Sequence, residues 1–277
     1  MVVAAGDIAC DPTGAGYRNG VGSPKNCDQR ATSDLALAQH PQAVLLLGDN
    51  QYENATLAKY QASFDPTWGR MKAIIHPAAG NHEYLTPDAT DYFDYFGAAA
   101  GQRPGGYYSW DLGGWHFVVI NSNCTKVAGG CSRSSPQYQW LVADLAAHKS
   151  RCTLAYWHHP RFSSGVHGDE TATDRFWRAL YDAGADVVLV GHDHDYERFS
   201  PQTPDASADP ARGIAEFVVG TGGKSHDPIR RVDRNSVVHN TDTYGILRLT
   251  LHATSYDWEF VPVGSGAFTD SGHGSCH

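Results

Sequence analysis

The chain has 277 residues, of which 41% are hydrophobic, so it can bury a large core, and its length alone allows one domain or two. Thirty acidic residues against twenty-one basic residues give a net charge of -9, which disfavours coating of nucleic acid or binding to an anionic membrane surface. No stretch approaches the roughly 20 apolar residues of a transmembrane helix, so we expect no membrane span.

Five short apolar runs are predicted to be buried strands, and each ends in residues of a type that binds metals. In chain order the runs are residues 2–5, 44–47, 73–79, 154–157 and 187–190, and they lead to Gly6-Asp7, Gly48-Asp49, Gly80-Asn81-His82-Glu83, His158-His159-Pro160 and Gly191-His192-Asp193-His194. A single Gly-Asp pair is more typical of an aspartate that caps the next helix. The recurrence of the pattern indicates a shared site instead.

The segments between these runs have the composition of helices, at residues 31–40, 55–68, 88–96, 135–148 and 173–183. Alternation of strand and helix predicts βαβ units and a parallel sheet, whose strand ends converge on one rim. Ligands bind in the crevice outside such strand ends. Because the side chains from Asp7 to His194 would all have to meet there, we expect residues 1–277 to form one domain.

The rest of the chain supplies a second sheet. A hairpin is predicted from residues 107–111 and 115–121 around Gly113-Gly114, and further strands at residues 214–220, 244–252 and 255–263. Residues 200–213, rich in Pro, Asp, Ser and Ala, are expected to form a flexible surface loop.

The six cysteines contain no CxxC pair, which excludes the spacing of a zinc ribbon. Their separations favour disulfides Cys10–Cys27 and Cys124–Cys131, with Cys152 joined to Cys276 near the carboxyl terminus. Disulfides imply an oxidising compartment. The first ten residues lack the features of a signal peptide, so we expect a secreted or periplasmic protein whose signal peptide was removed. The alternative is a cytosolic protein with free thiols.

The side chains at the strand ends are oxygen and nitrogen donors, which suit iron, zinc or manganese better than copper(I). Two metals about 3.5–4 Å apart are the recurring arrangement for hydrolysis of phosphate esters. Such a pair needs a bridging carboxylate, and Asp49 is the central candidate.

The motif order GD, GDxxY, GNHE, HHP and GHDH, between Gly6 and His194, resembles the calcineurin-like metallophosphoesterases. Tyr52 makes the chain similar to their purple acid phosphatase branch, and the sequence FVVGTGG at residues 217–223 is similar to a segment of secreted bacterial relatives. The resemblance implies an α/β fold, a four-layer αββα sandwich of two mixed β-sheets flanked by helices.

The resemblance also implies two metal sites. The first would be formed by Asp7, Asp49, Tyr52 and His194, and the second by Asp49, Asn81, His158 and His192. Other branches of the family have Asp-x-His in the first motif, but this chain has Asp7-Ile8-Ala9. Tyr52 would take the place of the missing histidine, and a tyrosinate favours Fe(III) in that site. The second site would hold Zn, Fe or Mn. Taken alone, a tyrosine is more often a packing residue than a ligand.

Further roles follow from position relative to these motifs. His82 and His167 are expected to donate protons to the leaving group, although a loop histidine such as His167 is often simply solvated. Glu83 is expected to orient His82, His159 to lie behind the ligand His158, and Arg161 to contact substrate. The remaining histidines that we assign to packing or to the surface are His40, His76, His116, His148, His239, His252, His273 and His277.

The resemblance implies hydrolysis of small phosphate monoesters by a metal-bound hydroxide, without a phospho-enzyme. A phosphodiesterase or nucleotidase of the same fold is the first alternative. A non-catalytic extracellular binding module is the second, and the complete set of ligands argues against it. The sequence leaves the natural substrate and the oligomeric state open.

Overall fold

The structure is a computed structural model that describes residues 1–23, 25–264 and 268–277. Its strands are, in chain order, Val2–Ala5 (β1), Ala43–Leu47 (β2), Ile75–Ala78 (β3), Tyr108–Leu112 (β4), Trp115–Val119 (β5), Cys152–Tyr156 (β6), Val187–Val190 (β7), Tyr196–Gln202 (β8), Ile214–Val219 (β9), Ser236–Asn240 (β10), Gly245–Leu251 (β11), Ser255–Pro262 (β12) and Ser271–Ser275 (β13).

The strands form two mixed sheets. The first has the order β13-β12-β11-β1-β2-β3, and the second has the order β10-β8-β9-β7-β6-β5-β4. The strands β1, β2 and β3 run parallel, as do β5, β6, β7 and β9, whereas the flanking strands pair antiparallel. The parallel strands whose carboxyl ends lead to the candidate ligands are divided between the sheets, with β1, β2 and β3 in the first and β6 and β7 in the second. The expectation that all five would lie in one parallel sheet is therefore wrong. The shared rim is formed by the strand ends of both sheets.

The helices cover the two outer faces. They are Gln29–Ala38 (α1), Leu57–Lys59 (α2), Thr90–Phe96 (α3), Pro136–Ala147 (α4) and Asp174–Ala183 (α5). Ser135 accepts a hydrogen bond from the Tyr138 N–H and so caps the start of α4, where proline occupies the first position. The helix α5 ends at Ala183 and is followed by Gly184, which has the positive φ of 80° that a glycine adopts without strain.

Three layers of apolar side chains separate these elements. Val2, Leu45 and Phe117 belong to the cluster between the two sheets, and Trp68 and Trp177 belong to the clusters beneath the helices on either side. All five are fully buried. The predicted four-layer αββα sandwich is therefore confirmed.

Several predicted elements differ in extent. The helix expected at residues 55–68 is divided into α2, a π-helical turn at Tyr60–Phe64 and the start of a 3-10 helix at Trp68–Ile74. That 3-10 helix delays β3 to Ile75. The expected helix at residues 88–96 begins as a 3-10 turn at Pro87–Ala89, and the expected loop at residues 200–213 opens inside β8. The strands β8, β10 and β13 were not predicted.

The three predicted disulfides, Cys10–Cys27, Cys124–Cys131 and Cys152–Cys276, are all present. The third joins the start of β6 to the segment after β13, and so ties the chain end to the second sheet. No helix among the described residues is long and apolar enough to cross a membrane.

Candidate metal centre

The predicted ligands lie at one rim, after the carboxyl ends of five strands from the two sheets. Asp7 follows β1, Asp49 follows β2, Asn81 follows β3, His158 follows β6 and His192 follows β7. Tyr52 and His194 lie in the loops that continue from β2 and β7. Both sheets therefore contribute to the site, and it lies where their parallel strands end.

The backbone at this rim turns sharply so that the ligands face inward. Asp7, Asp49 and His192 have positive φ values of 60°, 47° and 75°, a region that costs a non-glycine residue of order 1–3 kcal/mol. The glycines that precede the ligands have no side chain, and this leaves room for ligand side chains from neighbouring loops. A Cβ atom on Gly191 would lie 2.6 Å from Asp7 Oδ2, and one on Gly80 would overlap the Asp49 carboxylate. The Gly-ligand pattern thus has a packing cause.

The first group of donors surrounds the Tyr52 hydroxyl. Its oxygen lies 2.7 Å from Asp7 Oδ1, 3.1 Å from Asp49 Oδ2 and 3.0 Å from His194 Nε2. The distance between His194 Nε2 and Asp7 Oδ1 is 3.4 Å. Asp7, Asp49 and Tyr52 are buried, so these oxygens have little access to bulk water.

The second group surrounds the Nε2 atom of His158. This nitrogen lies 3.0 Å from Asn81 Oδ1, 3.2 Å from His192 Nδ1 and 3.3 Å from Asp49 Oδ2. Asp49 Oδ2 is thus the atom common to both groups. The other oxygen, Asp49 Oδ1, accepts a hydrogen bond from the backbone N–H of His82 at 2.8 Å. A carboxylate shared in this way suits a bridging ligand.

The donor chemistry fits two cations. Burial and the charges of Asp49 and Asp7 raise the pKa of the Tyr52 phenol well above its usual value, so ligation by a phenolate requires a strongly charged cation at the first group. Burial and the neighbouring His158 lower the pKa of His192, which leaves its imidazole neutral and able to coordinate. Burial alone would lower the pKa of His158, but the Asp49 carboxylate raises it to about 9. A cation would replace that proton.

Backbone and side-chain partners fix the orientation of two histidines. The Nδ1 atom of His158 lies 2.9 Å from the Leu47 carbonyl oxygen, so Nδ1–H donates and Nε2 faces the donors. The Nδ1 atom of His194 lies 2.7 Å from Ser225 Oγ, which directs its Nε2 toward Tyr52. Such partners set the tautomer of a ligating histidine and support metal affinity.

Glu83 holds two ligand loops together, rather than orienting His82 as expected. Its buried carboxylate accepts hydrogen bonds from the backbone N–H groups of Asp49, Asn50 and Gly80 at 3.0, 2.9 and 2.6 Å. The Tyr60 hydroxyl donates to the same carboxylate at 3.0 Å. Burial and the charge of Asp49 raise the pKa of Glu83. The residue therefore links the loop after β2 to the loop after β3.

His82, His167 and Lys224 lie at the mouth of the site. The His82 ring lies 4.3 Å from the Tyr52 ring, and its Nε2 is 3.8 Å from Asp49 Oδ2. His167 is exposed, and its ring centroid lies 4.2 Å from that of His192. The Lys224 ammonium group lies 4.5 Å from the centre of the Tyr52 ring and pairs with Glu53. Both candidate proton donors thus reach the ligand groups.

His159 and Arg161 have different surroundings. The His159 ring lies 4.5 Å from that of His192, and Ser122 Oγ lies 2.8 Å from its Nδ1. Burial lowers the pKa of His159 to about 3. Arg161, in contrast, has its guanidinium group 3.3 Å from Asp174 and 3.8 Å from Asp169. Its charge is already balanced by two carboxylates.

Two serines that were not predicted from the sequence, Ser225 and Ser122, support His194 and His159. Both serines follow the carboxyl end of a strand, β9 and β5 respectively. The same strand-end criterion that selected the acidic and histidine ligands would have selected these loops. The two serines were not selected because serine is common in loops and its hydroxyl group has no strong preference for metals.

The fold and the rim of oxygen and nitrogen donors agree with those expected from the motif order. The sequence model of the calcineurin-like phosphoesterase family matches residues 3–196, and the chain belongs to that family. The resemblance read from the motif order is therefore confirmed.

Curated relatives bear the names of acid phosphatases. The chain is 30% identical over 220 residues to purple acid phosphatase 15 of Arabidopsis thaliana, and the match covers 66% of this chain and 40% of the relative. It is 27% identical over 183 residues to human acid phosphatase type 7, covering 57% of this chain and 41% of the relative. The matched part is thus less than half the length of either relative.

Solved structures share the fold across the chain. Purple acid phosphatase PPD1 from yellow lupin superposes with a TM-score of 0.79 at 18% identity, covering 99% of this chain and 53% of that chain. GAP50 of Plasmodium, described as the anchor in the inner membrane complex, superposes with a TM-score of 0.68 at 13% identity, covering 100% of this chain and 88% of that chain. The same fold therefore occurs in proteins with different descriptions.

Proposed function

We propose that the protein is a metal-dependent phosphatase that hydrolyses small phosphate monoesters at a dinuclear centre. The observation that carries this proposal is the sharing of Asp49 Oδ2 by two groups of donors, at 3.1 Å from Tyr52 Oη and 3.3 Å from His158 Nε2. Family membership and the names of the relatives support the same reaction class.

The metal assignment follows the donor types. Asp7, Asp49, Tyr52 and His194 would hold Fe(III), because a phenolate with two carboxylates favours a hard, highly charged ion. Asp49, Asn81, His158 and His192 would hold Zn, Fe or Mn. The two ions would supply a nucleophilic hydroxide near neutral pH and neutralise the charge on the phosphoryl oxygens.

The protein's own side chains would complete the reaction. His82 and His167 flank the two groups and are accessible from solvent, so either can hold a proton for the departing oxygen. Lys224, which pairs with the exposed Glu53, lies beside Tyr52, where an anionic substrate would approach.

A cavity of about 390 Å³ lies beside the loop that carries His167 and is lined in part by Arg230 and by Arg231, which pairs with Asp233. We assign it to the leaving group of the substrate. Arg161 is a weaker candidate for substrate binding, because Asp174 and Asp169 already pair with it.

Two other functions compete with this one. A phosphodiesterase or nucleotidase would use the same ligands and differ only in how the substrate fits. A non-catalytic binding module is also compatible with the fold, which GAP50, described as an anchor, shares. Such a module has no need for seven converging metal donors. The disulfides are compatible with a secreted or periplasmic location. We further propose that residues 1–277 act as a single catalytic domain.

The first experiment compares kcat/KM for a nitrophenyl phosphate monoester and a bis-nitrophenyl phosphate diester. We expect the monoester to be hydrolysed faster. Faster turnover of the diester would replace the phosphatase by a phosphodiesterase, and no turnover of either by the metal-loaded protein would favour the binding module.

The second experiment counts metals in variants. Asp49→Ala should lose both ions and activity, because it removes the shared ligand, whereas Asn81→Ala should lose chiefly the ion of the second group. Asp257→Ala is the control, since that carboxylate is half exposed and pairs with the surface histidines His252 and His273. Two ions per chain in Asp49→Ala would contradict the shared-ligand assignment.

A further inference from the structure

The loop that carries His167 comprises residues 163–168, with the sequence Ser-Ser-Gly-Val-His-Gly, and lies between β6 and α5. Its two glycines give the backbone more conformational freedom than other residues would. His167 is exposed, yet its ring centroid lies 4.2 Å from that of the candidate ligand His192. Because a proton is transferred efficiently only from a fixed position, a proton donor on such a loop needs an anchor.

The carboxylate of Asp193 holds this loop at two points. Asp193 lies between the candidate ligands His192 and His194 and is fully buried. Its Oδ1 accepts a hydrogen bond from the His167 backbone N–H at 2.9 Å, and its Oδ2 accepts one from the Ser163 hydroxyl. Hydrogen bonds to a carboxylate are stronger than those between neutral groups. The residue between two candidate metal ligands therefore holds both ends of the His167 loop.

Gly165 allows the loop to approach this carboxylate. A Cβ atom on Gly165 would lie 2.3 Å from Asp193 Cγ, so a larger residue would push the loop away. The Gly165 N–H donates to Ser163 Oγ at 3.0 Å, which leaves the hydroxyl hydrogen of Ser163 for Asp193. The glycine, the serine and the carboxylate thus fit one another.

Two further carboxylates anchor the start of the loop. Glu197 on β8 accepts hydrogen bonds from the N–H and the hydroxyl of Ser164, the first at 2.8 Å. Asp169 accepts one from the Ser163 N–H at 3.0 Å. These contacts hold residues 163 and 164, whereas Asp193 holds the backbone of His167 itself. Loss of the Asp193 carboxylate should therefore free His167 without releasing the whole loop.

A third metal site is the competing interpretation of the same residues. One donor atom from each of His167, Asp193 and Asp227 lies within 4.8 Å of the other two. Both oxygens of Asp193, however, already accept hydrogen bonds from the loop. The carboxylate is thus engaged with protein donors, which fits a positioning role better than metal ligation.

We propose that Asp193 is a positioning residue for the proton donor His167 and holds the His167 loop against the metal centre. The inference rests on the proposed phosphatase function. It gives the aspartate of the GHDH motif a role distinct from metal binding. The segment that supplies a ligand to each group of donors is, through Asp193, also the segment that fixes the loop of the proton donor.

Hydrogen exchange followed by mass spectrometry tests the contact without turnover. In the metal-loaded protein, we expect the peptide that covers His167 to exchange about 10–100-fold faster in Asp193→Ala than in the wild type, because a hydrogen bond to a carboxylate is lost. Asp193→Asn should lie between the two, since an amide oxygen can still accept from the His167 N–H and the NH₂ group can donate to Ser163 Oγ. Asp205→Ala is the control, because this exposed carboxylate pairs with Arg178 at the surface. Equal exchange in the wild type and Asp193→Ala would overturn the proposal.

A double-mutant cycle tests the consequence for catalysis, with metal content checked at two ions per chain. On an alkyl phosphate, Asp193→Ala and His167→Ala should each lose at least about 10-fold in kcat/KM, and much less on a nitrophenyl phosphate. The double variant should lose no more than either single variant, because both changes disable the same proton donor. Multiplied losses in the double variant, or equal losses on both substrates, would contradict the positioning role.

Ser163→Ala approaches the same contact from the loop and leaves the segment of the metal ligands unchanged. It should show a smaller loss in the same direction, and it decides the question if Asp193→Ala does not fold or loses a metal ion. The two proposals fail in different ways. A wild type that hydrolyses neither ester refutes the proposed function, and with it a role of Asp193 in catalysis. An active wild type with unchanged Asp193→Ala and Ser163→Ala refutes the positioning role alone.

Discussion

Glu83 provides the sharpest test of how the ligand loops are held. Its carboxylate accepts four hydrogen bonds of 2.6 to 3.0 Å, from the N–H groups of Asp49, Asn50 and Gly80 and from the Tyr60 hydroxyl. Glu83→Ala leaves these buried donors without their acceptor. At about 1 kcal/mol for each bond, we expect the free energy of unfolding to fall by about 4 kcal/mol.

In Glu83→Ala the affinity for metal should fall together with the free energy of unfolding, because Glu83 links the loops that carry Asp49 and Asn81. Loss of a residue that supports metal ligands typically lowers affinity about 10–100-fold. The control is Tyr60→Phe, which removes one of the four bonds and should cost about 1 kcal/mol while leaving the backbone bonds intact.

The measurements are urea unfolding followed by tryptophan fluorescence, with the disulfides intact, and metal affinity by dialysis. If Glu83→Ala unfolds within about 1 kcal/mol of Tyr60→Phe and binds metal as tightly as the wild type, Glu83 does not organise the site.

Three further predictions concern colour, proton transfer and the disulfides. Tyr52→Phe should abolish a visible charge-transfer band of the iron-loaded protein while part of the activity survives; an unchanged spectrum would exclude Tyr52 as a ligand. His82→Ala should lose about 10²–10⁴-fold in kcat/KM on an alkyl phosphate, whose alkoxide needs a proton, and much less on a nitrophenyl phosphate, with His167→Ala weaker in the same direction. Equal losses on both substrates would assign these histidines to phosphate binding. Replacing Cys152 and Cys276 by serine opens a loop with a sequence separation of 124, so unfolding free energy should fall by about 4–5 kcal/mol; six free thiols in the native protein would refute the pairing.

Local sequence determined the strands that lead to the metal centre and the residues that follow them. A buried parallel strand is a continuous apolar run, and a glycine after it allows the turn that points the next side chain inward. Both signals lie within a few residues, so Gly48-Asp49 and Gly191-His192 could be recognised without tertiary information. The disulfides Cys10–Cys27 and Cys124–Cys131 were predictable for the same reason, because their partners are near in sequence.

Elements with weaker local signals were decided by tertiary packing. The strands β10 and β13 are edge strands whose residues alternate between half-buried and exposed, so they lack the apolar run that marks a buried strand. The segment at residues 55–68 has helical composition, yet it must bring Tyr60 to Glu83 and Phe64 into the core beneath the first sheet. Those contacts impose π and 3-10 turns in place of one regular helix.

Which atoms meet at the rim was decided only by the tertiary structure. The sequence places His158 and His159 side by side, and the fold separates them: the Leu47 carbonyl orients His158 toward Asn81, while Ser122 contacts His159. Likewise, nothing near Glu83 in sequence indicates that it accepts hydrogen bonds from Asp49 and Asn50, more than 30 residues away. Such contacts depend on the register and twist of strands from distant parts of the chain, which local composition does not encode.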